Sequence, residues 1–293
     1  MSYRELACQT LRFGGFERKA EQPRYSVLGV PYDFTSTYRP GSRFGPDAIR
    51  EASLNLESYC IRSAFDVENV AIEDLGDLNV LNDANATSER VRRVVEEVVE
   101  ERRFPIVLGG EHTITHGSSR AFEGAGILSF DAHLDLRDEY LGNRLSHATF
   151  MRRVCEVLGS GRVFEVGVRA VSGEELAFAK DKNLQFLTAR DVENMGIGKV
   201  VDRLKLWFSK FEGLYITVDM DVLDPAYAPG VGNPVPEGLS PTQLLDLLQK
   251  SCGPNVVGLD VVEVSPSYDS GITALQASNI IYNIIAFRET AKV

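Results

Sequence analysis

Short runs of β-branched and apolar residues recur along this chain with amphipathic segments between them, and nothing else in it constrains the fold as tightly. Eight runs read as strands: Tyr25–Val30, Asn69–Leu75, Phe104–Leu108, Gly126–Phe130, Arg162–Val168, Leu184–Leu187, Leu214–Val218 and Val256–Val261. Ser88–Arg103, Ser146–Leu158 and Gly198–Lys210 have helical apolar spacing. Ser240-Pro241 ahead of TQLLDLLQK is an N-cap followed by proline at the first helical position. Strands alternating with helices imply a mostly parallel sheet covered on both faces. The expectation is a single three-layer α/β/α domain over residues 1–293 with a sheet of about eight strands. No internal repeat, low-complexity tract or linker divides it. Tyr32–Pro46, rich in Gly and Pro, reads as a long loop within that domain.

Charge and composition remove several classes of function. A formal net charge of −11 with no Lys/Arg block disfavours a general nucleic-acid binder. With 44% hydrophobic and 25% charged residues the chain has enough apolar material for a large soluble core. No apolar stretch is long enough to cross a bilayer, and MSYRELACQT lacks the apolar region of a signal peptide. Cys8, Cys60, Cys155 and Cys252 are scattered, without a CxxC pair or disulfide-like spacing. These features predict a reduced, cytoplasmic protein whose partner is a small molecule, with no nucleic acid and no membrane.

In open parallel sheets, ligands bind beyond the carboxyl ends of the strands. GGEHTIT follows the strand ending at Leu108, and FDAHLDLRDEY begins at the end of the strand closing at Phe130. DMD (Asp219 to Asp221) follows Val218, and Glu263 follows Val261. Four polar clusters therefore fall at one edge of the expected sheet. Asp131, His133 and Asp135 alternate and would share a face if their strand simply continued. Unpaired charges crowded there are costly. Taken alone, the cluster is equally a solvated strand end, and DMD running into VLDP is an Asp-Pro turn. Taken together with His112, the set is four carboxylates (Asp131, Asp135, Asp219, Asp221) and two imidazoles (His112, His133). Clustered anions repel or take up protons, and two divalent cations would cancel their charge. An oxygen-rich shell suits Mn²⁺ better than Zn²⁺.

GGEHTIT, SFDAHLDLR, SHATFMRR, DMDVLDPAYAPG and GLDVVEVSP resemble the signatures of the ureohydrolase family, which includes arginases and agmatinases. GSRFGPDAIR resembles the family's early loop, so the likeness runs from about Pro31 to Pro266. The resemblance implies one α/β/α domain with a binuclear manganese centre, two Mn²⁺ per chain, hydrolysing guanidino compounds to urea and an amine. It implies that His112 and Asp135 bind one manganese, His133 and Asp221 the other, and that Asp131 and Asp219 bridge them. His147 in SHATF matches the family's proton-relay histidine, and Glu263 matches the residue that holds the guanidinium group. His116 matches no ligand and reads as a helix residue. A homo-oligomer, trimer or hexamer, is implied as well. The chemistry is coherent: a guanidinium carbon is a poor electrophile, so a metal-bridging hydroxide supplies the attack. Glu263 pairs with the planar cation, and His147 supplies the leaving amine's proton.

The loop LRDEYLGNRL lacks the Asn/Ser pattern with which arginases receive the substrate carboxylate, and its surroundings resemble microbial agmatinases. Agmatine carries a terminal ammonium, which acidic residues near the mouth would suit; Asp138 and Glu139 are candidates, as is Glu237, which stands in GNPVPEGLS where relatives usually have glycine. Arg137 argues the other way, because an arginine near the site receives carboxylates, unless it pairs with Asp138 or Glu139. Agmatine is the preferred substrate, with arginine, guanidinobutyrate and formiminoglutamate as alternatives. A single-zinc deacetylase would leave His112 and the second Asp of DMD unexplained, and a catalytically dead relative would be expected to have lost ligands.

Overall fold

The computed structural model describes residues 7–8, 11–15 and 23–291, so most of the amino-terminal stretch read above for a leader lies outside the described residues. Eleven strands are present among them: β1 Ala7–Cys8, β2 Tyr25–Val30, β3 Tyr59–Cys60, β4 Phe65–Asp66, β5 Ile72–Leu78, β6 Phe104–Gly109, β7 Ala125–Phe130, β8 Val163–Val168, β9 Gln185–Thr188, β10 Gly213–Asp219 and β11 Val256–Val262. Nine form one sheet in the order β1-β5-β2-β6-β11-β10-β7-β8-β9, and β3 pairs with β4 as a separate ribbon. Every neighbouring pair from β5 through β9 is parallel. Only the two-residue β1 runs antiparallel, on the β5 edge. The expected sheet of about eight parallel strands is thus the observed one, with a short strand added at its rim.

Helices cover both faces. Apolar residues of 45–53, 197–208, 241–251 and 272–290 pack with one side of the sheet, and those of 84–100 and 150–158 with the other. Each helix has a local cause. Asp83 accepts from Ala86 N at 2.7 Å, and Val91, Val94, Val95 and Val98 lie on the buried stripe that follows. Ser240 and Gln243 make a reciprocal capping box ahead of Pro241–Ser251. Parallel strands buried on both faces carry nearly continuous apolar runs, and β2, β6, β7, β8 and β10 are buried at every position. No described helix is long and apolar enough to cross a membrane.

Several boundaries differ from expectation, among them that of the helix expected over Ser88–Arg103 and found at Ala84–Glu100, and three have a local cause. β5 starts at Ile72 rather than Asn69, because Asp66 caps a 3-10 turn at Val67–Asn69 through Glu68 N. The segment read as a loop to Pro46 ends earlier, in a 3-10 turn at Ser42–Phe44 and then the helix Gly45–Ser53. The helix expected from Ser146 starts at Phe150, after a turn in which Ser146 O accepts from Thr149 N. Arg50, fully buried in the early helix, holds Asp74 and Asp77 of β5 at 2.9 and 2.6 Å and so ties that helix to the sheet edge.

Candidate metal centre

The four polar clusters follow β6, β11, β10 and β7, which are consecutive in the sheet. The register of these parallel strands brings their carboxyl ends level, so His112, Glu263, Asp219, Asp221, Asp131 and His133 meet over the middle of the sheet. Asp131 does not continue its strand: β7 ends at Phe130. The alternating face expected from the spacing is therefore replaced by a turn, in which Asp131 Oδ1 accepts from His133 N at 2.6 Å. Asp219 repeats that turn on the neighbouring strand, accepting from Asp221 N at 2.8 Å. Asp221 Oδ1 then accepts from Ala132 N at 3.1 Å, locking the two turns together. Asp135 and Glu263 both have positive φ, 50° and 66°, a conformation costly for side-chain-bearing residues and concentrated at functional sites.

Two overlapping groups have ligand atoms within 4.8 Å of one another: His112, Asp131 and Asp219, and Asp131, His133 and Asp221. Asp131 belongs to both. Asp219 belongs only to the first, and Asp135 sits beside that group, its Oδ2 3.7 Å from His112 Nδ1. His112 Nδ1 lies 2.9 Å from Asp131 Oδ2 and 3.2 Å from Asp219 Oδ2, yet is buried without a hydrogen-bond partner. His133 Nδ1 lies 3.0 Å from Asp221 Oδ2. Burial, and then Asp221 and Asp131, push the Asp219 carboxyl well above its ordinary range. Burial and Asp131 do the same to Asp135. Against the effect of burial, Asp131 and Asp219 hold the His112 imidazole, and Asp221 and Asp131 the His133 imidazole, well above the ordinary range. A nearly buried set of carboxylates that draws positive charge to itself in this way fits divalent cations.

These groups open into a cavity of about 470 Å³ that is also lined by Asp135, Arg137, Tyr140, His147, Asn233 and Glu263. Glu263 Oε1 accepts from His112 N at 2.8 Å, and Glu263 N donates to Gly110 O. Gly110 is required there, because a Cβ would come 2.0 Å from Tyr32 O. Its partner Oε2 faces Gly232, where no side chain fills the space. His147 is held by the early loop: its N donates to Thr35 Oγ1 at 3.1 Å, Nδ1 is 3.4 Å from the same oxygen, and Nε2 is 3.4 Å from Thr37 Oγ1. Burial and the nearby His133 lower the His147 pKa to about 4, so the ring rests neutral, whereas the sequence suggested an ordinary imidazole.

Two candidates for the cavity mouth stand elsewhere. Asp138 turns to Arg153 at 2.7 Å and lies near Arg144 and Arg152, outside the cavity lining. Arg153, and then Arg152 and Arg144, hold its carboxyl below the ordinary range. Glu237 lines a different cavity, of about 490 Å³, with Thr188, Arg190 and Gln243. Its φ of 63° explains why glycine suits that position. Arg137 does line the metal cavity, stacked over Tyr140 and 3.9 Å from Glu175. Its ion-pair partner is thus Glu175, not Asp138. His116 is helical and buried, bonded to Ser88 Oγ at 2.9 Å. Sequence reasoning missed Thr35, Thr37 and Arg169. The Arg169 guanidinium donates to the carbonyls of Asp221 and Val235, each at 2.7 Å, and fastens the segment after Asp221. Glu111, also missed, accepts from Thr35 N at 2.9 Å and so anchors the loop against His147.

The family model described as "Arginase family" matches residues 23–286. The agmatinase of Bacillus anthracis is 36% identical over 275 residues, covering 90% of this chain and 92% of that protein. The N(1)-aminopropylagmatine ureohydrolase of Thermococcus kodakarensis is 35% identical over 269 residues, covering 89% and 90%. The crystal structure of agmatine ureohydrolase of Thermoplasma volcanium superposes with a TM-score of 0.90 at 38% identity, covering 97% of this chain and 96% of that one. With its fold, its strand-end ligand groups and these matches in agreement, the chain is a member of the arginase family.

Proposed function

We propose that this protein is an agmatinase, hydrolysing agmatine to putrescine and urea with two Mn²⁺ per chain. The observation that carries the reading is the pair of ligand groups that share Asp131, with His112, His133, Asp219 and Asp221 lining the cavity. Its likeness to the Bacillus anthracis and Thermoplasma volcanium proteins supports the substrate. His112, Asp131, His133, Asp135, Asp219 and Asp221 would hold the ions, Asp131 being common to both ligand groups. Paired divalent ions, when bound, supply a water made nucleophilic at neutral pH and stabilise negative charge that develops during attack.

The chain's own groups then divide the remaining work. Glu263, with Oε1 occupied by His112 N, offers Oε2 to the guanidinium and orients the carbon over the centre. His147 rests neutral, so it first accepts a proton and then gives it to the departing amine; Thr35 and Thr37 hold its ring for both transfers. The enzyme acts in the cytoplasm, in polyamine formation, as a homo-oligomer.

One observation favours a second reading. Arg137 faces the cavity while Asp138 and Glu237 do not, so a substrate tail ending in a carboxylate finds a cation there. Urea release measured with Mn²⁺ across agmatine, arginine, guanidinobutyrate and formiminoglutamate separates the two. Agmatine is expected to exceed arginine by at least ~100-fold in kcat/KM, the scale set by leaving a polar group unpaired. If guanidinobutyrate is best and Arg137→Ala abolishes that preference, the agmatine assignment is wrong.

A further inference from the structure

Behind the metal centre lies a buried hydroxyl-carboxylate network that the reaction outlined above does not use. The far nitrogen of His112, Nε2, is 2.8 Å from Thr217 Oγ1. Thr217 lies on β10, two residues before Asp219, and is the direct register partner of Asp260 on β11. Its hydroxyl oxygen lies 3.4 Å from Thr115 Oγ1. Asp260 is wholly buried, and its Oδ2 accepts from Thr115 Oγ1, Ser118 Oγ and Tyr215 OH at 2.9, 2.9 and 2.7 Å. Gly258 makes room for the Tyr215 ring, since a Cβ there would come 2.8 Å from it.

The donor and acceptor inventory settles the direction of each bond. A hydroxyl has one hydrogen to give. Thr115 gives its hydrogen to the Asp260 carboxylate, so toward Thr217 it can only accept; Thr217 gives its own hydrogen to Thr115, and toward His112 it can only accept. His112 must then carry a hydrogen on Nε2, which leaves the Nδ1 lone pair free in the neutral ring. Nδ1 is the atom aimed at Asp131 and Asp219 and the one without a partner.

We infer that Thr217, held through Thr115 by Asp260, is a positioning residue that fixes the tautomer and ring orientation of His112, so that Nδ1 is presented to a divalent cation. The inference rests on the metal reading given above. Such partners of ligating histidines are worth roughly 10–100-fold in metal affinity. A threonine or serine is required at the position, because valine fills the same space but cannot accept.

The test compares Mn²⁺ binding by the full-length parent, Thr217→Ser, Thr217→Val and Asp260→Asn, with metal-free unfolding curves as the control for folding. Thr217→Val is expected to weaken one of the two ions by roughly 10–100-fold and spare the other. Thr217→Ser should restore affinity close to the parent's, and Asp260→Asn should fall in the same direction as valine. A parent that binds two ions and a valine variant that binds them equally well overturns this inference alone. A parent that binds none overturns the metal reading and this inference with it. If the valine variant does not fold, the parent still decides. The chain has only four histidines, so ¹⁵N-histidine spectra with Zn²⁺ in place of the paramagnetic ion resolve each ring. A protected Nε2–H on His112 supports the assignment, and an Nδ1–H overturns it.

Discussion

Burial, Asp219 and Glu111 push the Glu263 carboxyl well above its ordinary range, so its charge belongs to the state with bound cations; replacing it by glutamine removes that charge while keeping the volume of a nearly buried side chain. Glu263 Oε1 is already engaged by His112 N at 2.8 Å, which leaves one oxygen for the guanidinium. An amide has a single oxygen. If that oxygen stays with His112, an NH₂ group meets the substrate's N–H donors; if it turns to the substrate, His112 N loses its acceptor. Either way one charge-assisted bond is lost, about 1.5–3 kcal/mol, and one buried donor is left unsatisfied, about 1–3 kcal/mol. The sum, about 2.5–6 kcal/mol, is roughly two to four and a half orders of magnitude in kcat/KM. Steady-state urea release with agmatine, alongside metal analysis of the same preparations, reads both quantities. The variant should hold as much manganese as the parent. Equal metal content with kcat/KM within about threefold of the parent would refute the assignment of Glu263 to the guanidinium.

Asp131→Asn should weaken both ions in a manganese titration, because Asp131 belongs to both ligand groups, whereas His112→Ala should weaken mainly one; equal single-site losses would contradict the sharing. Asp138→Asn should leave kcat/KM within about threefold of the parent, since its carboxylate faces three arginines outside the cavity; a tenfold fall would return it to the substrate path. Glu237→Gly should keep activity and hold or raise the Tm by relieving a positive φ, an effect read in a thermal melt, and a clear loss of stability would show that the side chain holds something in place. His116 is pushed down from 6.5 to about 4 by burial, so the unfolded chain binds more protons between those values. Stability from the neutral ring is full above the higher value and lost as pH falls through the window, a term on the order of 3 kcal/mol. The decline in Tm from pH 7 to pH 5 should be shallower in His116→Gln than in the parent, and parallel curves would count against it.

What the sequence made legible was set by burial. β2 is buried at all six positions, and its expected span Tyr25–Val30 is the observed one, because a strand covered on both faces must be apolar throughout. β5 misled at its end, read at Leu75, because Gly76 and Asp77 look like turn residues, while the Asp77 charge is met by a buried arginine from a helix twenty-odd residues earlier. The helix Ile272–Thr290 is buried on most of its circumference, which erases the amphipathic stripe that marks a helix in sequence. At the site, the residues with distinctive chemistry were visible as strand-end clusters. Thr217 and Asp260 were not, since a threonine and an aspartate inside apolar runs announce a partner only when the register pairing them is known. Asp138 and Glu237 failed for the opposite reason: a charge close in sequence to a site need not point into it.

The placement of β11 has a consequence for the order in which the molecule is made. β11 lies between β6 and β10, yet it is the last strand of the chain. Neighbouring strands stand ~4.8 Å apart, so without β11 the segments bearing His112 and Asp219 face each other across a slot two spacings wide. At synthesis rates of about 5–20 residues per second, those segments exist for a few seconds before the slot can be filled. A cation caught between them in that interval would draw β6 directly against β10 and shut out the strand that belongs there. The expected order is therefore closure of the sheet first and loading with metal afterwards. Refolding from denaturant should then be slower, and its yield lower, when manganese is present from the start than when it is added to the refolded chain.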